Sequence, residues 1–451
     1  MKKIITLVLA LGLVFGAASV SFATDVRVGG VFDFTMGKVW HPGAGEHTNG
    51  DWIARERFRT WIDFIVSESL KGQIFLEIGE ANFGNWGDHN GQTQNGNGQG
   101  FSLGGDGINI EVRRAFFDWI VPNTKLQVRV GLQNIAFPKS NPGPHFAFDD
   151  DMAGIVLNYK FNDMVALNLF WARPYDNDQA GFYTDSGVED TMDIFGFILP
   201  ITGDGYKVSL YGAYANIGDN VAGFINGNAS ISGKDGWWNG GDYDYAWWLG
   251  TAVNLNIWDP LSIGFDFLYG SWHSDHNNKQ FGTNGWLADL FIDYKTSWGT
   301  PGLILWYASG DSETRNRQLP RLSSPGNRYL NIGMNDEHAA FGDGKQLDKA
   351  GIGTWGIVAQ IKDISFIDKM KHLIRIGYVR GTHDKDINTN TIAYLTTRDW
   401  AVEIDLLTRY EIYDNLSAFV ELGWMHVGGK NFKSETHDDI WKFMVGLQYR
   451  F

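Results

Sequence analysis

Cysteine is absent from the 451-residue sequence, which excludes disulfide bonds, thiolate nucleophiles and cysteine-ligated metals. Lysine and arginine number 37 against 52 aspartates and glutamates, so the formal net charge is -15. Because phosphate binding needs a surplus of basic side chains, this charge argues against a nucleic-acid partner. Proline is scarce at 11 residues, and no apolar run beyond residue 24 reaches the length of a transmembrane helix.

The N-terminus has the three regions of a secretory signal peptide. A cationic start at Met1-Lys2-Lys3 precedes an apolar run over 4–18 and a small-residue site at Ser21-Phe22-Ala23. We therefore predict a signal peptide over 1–23, cleaved after Ala23, and a mature domain over 24–451. The alternative is an uncleaved anchor helix, although the apolar run is shorter than the ~20 residues that a span requires.

Glycine and aromatic residues are abundant, and the aromatic residues follow a period of two. Glycine numbers 56 and aromatic residues make up 15% of the chain. The C-terminal segment alternates large apolar side chains with polar or small ones, from Trp441 to Phe451. In an extended strand, successive side chains point to opposite faces, so this segment has one oily face and one polar face.

The same alternation recurs along the mature chain and predicts about 18 strands, with 16 as the alternative, from 26–40 to 440–451. Most predicted strands have ~9 to 14 residues, which suits a tilted strand crossing a bilayer. Short turns such as Asp259-Pro260 alternate with long polar loops such as 84–107 and 311–350. The pattern predicts an all-β fold, a transmembrane antiparallel up-and-down β-barrel closed by pairing the last strand with the first.

Tryptophans near the predicted strand ends are expected to form the aromatic girdles of such a barrel. These are Trp40, Trp52, Trp171, Trp247, Trp258, Trp272, Trp286 and Trp424.

Two blocks of sequence resemble the major homotrimeric outer-membrane porins of sulfate-reducing, Desulfovibrio-like bacteria. The first block contains Arg113-Arg114-Ala115-Phe116, Asp118-Trp119, Val121-Pro122-Asn123-Thr124 and Gly131-Leu132-Gln133. The second contains Ser365-Phe366-Ile367, Lys371-His372, Tyr378 and Arg380-Gly381-Thr382. The resemblance implies a homotrimer of water-filled channels that pass small hydrophilic solutes. It also implies that Phe451 is the signal read by the barrel assembly machinery.

Arginines are concentrated on one face of the second predicted strand. Arg55, Arg57 and Arg59 share a face opposite Phe58 and Thr60. Residues two apart lie roughly 6.6 Å apart along a strand, so the three guanidiniums are expected to form a ladder facing the barrel interior. Arg113 and Arg129 are expected to join this cationic wall of a pore constriction, as is Arg114 if a bulge shifts the phase. Glu56 falls on the outward row, which suggests the rim or a subunit contact.

The third long loop, predicted over 135–153, contains the acidic triplet Asp149, Asp150 and Asp151. In one interpretation the loop folds into the lumen, as in general trimeric porins, and the triplet faces Arg55, Arg57, Arg59 and Arg129 as the acidic side of the constriction. In the other interpretation it is a solvated acidic loop, which could bind Ca²⁺. The sequence leaves both open.

The function predicted is an outer-membrane porin, a passive diffusion channel for ions and small hydrophilic solutes in a Gram-negative cell. Its predicted partners are two further copies in a homotrimer, outer-membrane lipid, the assembly machinery and the solutes. We expect no cofactor, no catalytic residues and no metal, since His273 and His276 lack a third ligand. The alternatives are a barrel enzyme of the lipase or protease type and a soluble secreted carbohydrate-binding β protein.

Overall fold

A computed structural model of the chain describes residues 24–40, 52–83, 110–141, 143–176, 191–218, 243–274, 283–312, 317–322, 329–332, 351–386, 395–429 and 439–451. The predicted signal peptide, His276 and most of the long loops lie outside these ranges. No helix in the described ranges is long and apolar enough to cross a membrane.

Eighteen β-strands make up the described fold, in agreement with the predicted number. They are β1 Asp25–Trp40, β2 Ile53–Ser67, β3 Leu70–Asn82, β4 Ile110–Ile120, β5 Leu126–Ala136, β6 Asp149–Lys160, β7 Ala166–Asp176, β8 Thr191–Gly203, β9 Tyr206–Ile217, β10 Tyr243–Trp258, β11 Leu261–Ser274, β12 Thr283–Tyr294, β13 Thr300–Ala308, β14 Thr354–Ile364, β15 Met370–Gly381, β16 Trp400–Tyr413, β17 Leu416–Gly428 and β18 Asp439–Arg450.

The sheet closes on itself, as predicted. Each strand pairs antiparallel with its neighbours in the chain, and β18 pairs with β1. Beyond the last strand, the backbone amide and carbonyl of Phe451 bond to Gly30 at 3.1 and 3.0 Å. The Phe451 ring stacks on Phe58 and covers Gly30, where a Cβ would lie 2.4 Å from the ring. Glycine is therefore required at position 30 for the C-terminal ring to lie flat on the wall.

The two ends of the barrel differ in the length of their connections. At one end, turns such as Glu68-Ser69 and Asp259-Pro260 join successive strands. At the other end, the connections include 83–109, 218–242 and 309–353. Outer-membrane barrels have short periplasmic turns and long external loops, so the long connections mark the expected outer end.

The outward face is apolar and carries an aromatic band near the long-loop end. Outward side chains such as Leu249, Phe195 and Ile376 are exposed in the single chain. Ring contacts between neighbouring strands form much of the band: Tyr214–Tyr245, Trp247–Tyr269, Trp286–Tyr307, Trp355–Tyr378, Tyr378–Trp400, Trp424–Trp441 and Trp40–Trp441. Such a band is typical of the membrane interface. Trp272 is an exception to the prediction, because it points inward and is only 2% exposed.

The inward face has two different regions. On β9 to β12 it bears buried apolar side chains, including Tyr211, Trp248, Leu268 and Leu287. On β1 to β5 it bears charged side chains, with Asp33, Glu77 and Asp118 among them. Side chains of a barrel this wide cannot fill the interior by themselves. The apolar region is therefore buried only because loops fold in against it, as described below.

Candidate pore-lining site

The arginine row of β2 points inward, as the alternation predicted. Arg57 lies opposite Asp33 of β1 and donates to its carboxylate at 3.2 Å. Arg59 lies opposite Glu77 of β3 and donates to it at 2.5 Å. Arg55 shares this face, one inward position nearer the long-loop end. The counter-charges come from the adjoining strands of the same wall.

A β-bulge in β4 turns two successive arginines toward one carboxylate. The β3–β4 register shifts between the pairs Phe75–Arg114 and Leu76–Val112, so Arg113 is the extra residue. A bulge of this kind interrupts the alternation of side chains. Arg113 and Arg114 consequently both bond to Asp151, at 2.6 and 2.8 Å, and Arg113 also bonds to Glu77 at 2.7 Å. The bulge that was the stated condition for Arg114 is therefore present, and it places Arg114 beside Arg113.

Arg129 belongs to a separate pair nearer the short-turn end. Its guanidinium makes two bonds to Asp118 of β4, at 2.7 and 2.8 Å, and lies 4.0 Å from the centroid of the Phe116 ring. Lys71 is 3.6 Å from the same carboxylate. Asp118 is four residues from Arg114, which places this pair about 13 Å along the wall from the bulge.

The guanidiniums of this wall reach the solvent of the interior. Between 26% and 33% of each side chain is exposed for Arg57, Arg59, Arg113, Arg114 and Arg129. Their carboxylate partners Glu77, Asp118 and Asp151 are only 3% to 8% exposed. A solute in the lumen therefore meets arginine N–H groups in front of hidden acids.

The acidic triplet is not in a loop, which corrects the predicted boundaries 135–153. The β5–β6 ladder continues through Asn134–Asp151, Ile135–Asp150 and Ala136–Asp149, so the connection is only 137–148. The charges are accommodated in a strand because Asn134 donates to Asp149 and two arginines bind Asp151. Asp151 binds Arg113 and Arg114 rather than Arg55, Arg57, Arg59 or Arg129. The acids of this wall alternate with the arginines instead of facing them across the lumen.

The connection itself, which we call the first inner segment (137–148, without 142), lies against the inward face of distant strands. Ser140 donates its backbone amide and hydroxyl to Asp266 of β11, at 2.8 and 2.7 Å. Phe137 and Phe148 stack at 4.6 Å between centroids, and Phe148 also contacts Trp248. Phe146 and Phe148 have no exposed surface. The segment is thus anchored in the interior by both hydrogen bonds and aromatic packing.

A second inner segment, residues 317–322 and 329–332, was not anticipated from the sequence. Leu322 donates its backbone amide to Ala147 of the first inner segment at 2.8 Å. The Tyr329 hydroxyl donates to Asp289 of β12, which is paired with Asp266. At its far end, the Ile332 amide donates to Glu403 at 2.6 Å. The two inner segments together cover the apolar region of the inward face.

Inward glycines were the sequence signal that could have revealed both inner segments. A Cβ on Gly264 would lie 2.9 Å from Ser140, and one on Gly285 would lie 2.3 Å from the backbone of Gln318 and Leu319. Likewise, a Cβ on Gly377 would lie 2.5 Å from the Leu330 side chain, and one on Gly423 would lie 2.9 Å from the Ile332 side chain. Glycine in a strand interior often marks close approach of another backbone.

With one side of the lumen covered, open space remains beside the charged wall. A cavity of about 260 Å³ lies along β5 to β8. Its lining includes Gln127, Arg129, Gln133, Asn158, Asn168 and Phe170. This cavity lies beside the arginine-lined wall, and most of the lining residues named here are polar.

Comparisons with solved structures agree with the fold. The chain resembles crystal structures of three outer-membrane barrels from Pseudomonas aeruginosa at low identity. OccK11 (OpdR) has 13% identity and a TM-score of 0.55, with 95% of this chain and 96% of that chain covered. The outer membrane protein OpdK has 9% identity and a TM-score of 0.56, with 95% and 98% covered, and it was also crystallised with vanillate. OccK9 (OpdG) has 10% identity and a TM-score of 0.57, with 95% and 99% covered.

No protein-family model matches this chain, and no curated protein sequence matches it. At these identities the likeness to solved structures concerns the fold, an 18-stranded antiparallel barrel. The narrower resemblance to the porins of sulfate-reducing bacteria stays a prediction.

Proposed function

We propose that the chain is an outer-membrane porin, a passive and non-enzymatic diffusion channel for ions and small hydrophilic solutes. The proposal rests on one observation: the closed barrel wall has a charged inner face and an apolar outer face. Partly exposed arginines line the inside of β2, β4 and β5, while exposed hydrophobic side chains and an aromatic band cover the outside. A closed barrel satisfies every backbone group in lipid, and a charged lumen holds water.

The direct test is ion conductance of the purified mature chain in a planar lipid bilayer. A porin gives stepwise conductance without any added energy source. Absence of steps from protein with intact β structure would refute the proposal. Hydrolysis assays on lipid and peptide substrates distinguish the barrel enzyme, and solubility without detergent distinguishes the secreted carbohydrate-binding protein.

Small anionic solutes are the class that the lining favours. The wall presents guanidinium N–H groups, which bind carboxylates well, and the adjoining cavity of about 260 Å³ admits a small organic acid. Vanillate, the aromatic carboxylate bound to OpdK in one of the compared structures, is a suitable probe. We expect millimolar vanillate to reduce chloride current, and replacement of Arg55, Arg57 and Arg59 by Gln to shift the reversal potential toward cation preference.

The homotrimer remains part of the proposal. It is supported by Glu56, which lies on the outward row between Phe34 and Ala81 of the neighbouring strands. A carboxylate facing hydrocarbon is unfavourable, whereas a subunit contact can provide it with partners. The oligomeric mass of the detergent-solubilised protein, measured by light scattering with detergent correction, tests this. A monomer at all protein concentrations would contradict it.

A further inference from the structure

Two carboxylates of the arginine-lined wall each bind two arginines. Glu77 accepts hydrogen bonds from Arg59 at 2.5 Å and Arg113 at 2.7 Å. Asp151 accepts from Arg113 at 2.6 Å and Arg114 at 2.8 Å. The result is a continuous chain of charges, Arg59, Glu77, Arg113, Asp151 and Arg114, drawn from β2, β3, β4 and β6.

The two carboxylates are buried behind the arginines, so a solute does not touch them, but their negative charge still contributes to the potential in the lumen. The side chains of Glu77 and Asp151 are 7% and 8% exposed, whereas those of Arg59, Arg113 and Arg114 are 27% to 30% exposed. A passing solute can therefore touch the guanidiniums and not the carboxylates. The electrostatic potential, in contrast, sums both signs, so the three cations of this hydrogen-bonded chain are offset by its two anions.

We propose that Glu77 and Asp151 set the ion selectivity of the channel by holding the arginine wall close to neutrality. The inference rests on the proposed porin function and adds the residues that limit its anion preference. With both acids present, the wall offers oriented N–H donors without a strong positive potential. Such a lining admits anions and still lets neutral polar solutes and their water pass, because the net field on the lumen is weak.

The size of the effect follows from Coulomb's law. Removing one negative charge about 6 Å from a permeating ion in water changes the ion's equilibrium occupancy about threefold, and about twofold once salt near 0.1 M screens the interaction. Removal of the charge raises chloride occupancy and lowers potassium occupancy by this factor, so each of Glu77→Gln and Asp151→Asn should raise the chloride-to-potassium permeability ratio about four- to ninefold. The double variant is expected to raise it about 16- to 80-fold if the two contributions add in free energy.

The test is the reversal potential of the full mature channel in a KCl gradient. Glutamine and asparagine keep an acceptor oxygen for the arginines, so the hydrogen-bonded geometry can persist while the charge is removed. Glu77→Gln combined with Arg59→Gln restores the charge balance and should return the permeability ratio toward that of the wild type. A purely structural role of Glu77 predicts the opposite, because the second substitution would add further damage. The shift should also shrink when the mean salt concentration rises to 1 M, where the Debye length is about 3 Å.

Asp193→Asn is the matched control. Asp193 binds Arg173 through two bonds of 2.8 and 3.0 Å, but this pair lies on the outward rows of β7 and β8. Asp193→Asn removes a carboxylate from an arginine pair of the same chemical kind but leaves the charges in the lumen unchanged. The permeability ratio should therefore stay at the wild-type value.

The outcomes separate the two proposals. Loss of all conductance steps in the wild type refutes the porin function itself. Normal steps with unchanged permeability ratios in both Glu77→Gln and Asp151→Asn refute this inference and leave the porin function standing. If one of the two variants does not fold, the other decides, since each removes a single charge from the same chain of contacts.

Discussion

The second inner segment provides the sharpest test of how the lumen is narrowed. Leu330 and Ile332 are 0% and 3% exposed, and they pack against Gly377 and Gly423 of the barrel wall. We consider the double replacement Leu330→Ser with Ile332→Ser. It removes the apolar anchors and leaves the barrel strands unchanged.

The magnitude follows from the burial of two large aliphatic side chains. Each contributes about 1.5–3 kcal/mol when fully buried, so the double variant weakens the packing of the segment by about 3–6 kcal/mol. At about 1.4 kcal/mol per decade, the ratio of docked to undocked segment falls by roughly 10²- to 10⁴-fold. The hydrogen bonds of the segment, such as Ile332 to Glu403 and Asn331 to Asp405, are the same in the wild type and in the double variant, so they do not offset the loss of apolar packing.

Single-channel recording with polyethylene glycols of graded size measures the outcome. We expect a higher conductance and entry of larger polymers, since the undocked segment no longer covers the β15 to β18 side of the lumen. The volume-conserving pair Leu330→Met with Ile332→Leu is the control and should retain the wild-type values. An unchanged polymer cutoff in the folded double-serine variant would refute the view that apolar packing holds this segment inside the barrel.

Three further predictions concern the first inner segment, the glycine contacts and the C-terminus. Burial, assisted by the Lys139 cation, lowers the pKa of His145 well below 6.5. Since undocking restores the ordinary pKa, docking should weaken as the pH falls below 6.5, and His145→Gln should abolish the resulting increase in current fluctuations between pH 7.5 and 5. Gly423→Val should raise conductance by displacing Ile332, with an overpacking cost of about 1–3 kcal/mol, whereas the outward-facing control Gly72→Val should not. Phe451→Ala should reduce the folded fraction seen as heat-modifiable mobility in gels, and Arg450→Ala should leave it unchanged; equal yields would contradict the role of Phe451 in barrel assembly.

The strand pattern was readable from local sequence to a large extent. A strand of a barrel has only two faces, so a period of two assigns each side chain to lipid or lumen without knowledge of its neighbours. Arg57 and Arg59 were assigned to the lumen in this way. Trp272 shows the limit of this reasoning. Its position near a strand end suggested the aromatic girdle, but it shares a face of β11 with the inward residues Asp266 and Leu268 and therefore points into the barrel.

Alternation within a strand does not predict which side chains of different strands contact each other. The predicted loop 135–153 includes Asp151, and only the bulge at Arg113 brings two guanidiniums to this residue. The counter-acid Glu77 was missed for a related reason. Its partners, Arg59 and Arg113, depend on the register of β3 with both β2 and β4, which alternation within one strand does not specify.

The sequence by itself indicated an approximate number of strands, the two faces of the wall and the closure of the last strand on the first, because these follow from short-range alternation and turn spacing. Only the tertiary structure decided which part of the lumen stays open. That depends on contacts such as Ser140 with Asp266, separated by 126 residues, and Lys442 with Asn331, separated by 111. Such contacts form because the closed barrel brings inward faces from opposite sides within reach of one loop, and no local pattern encodes that proximity.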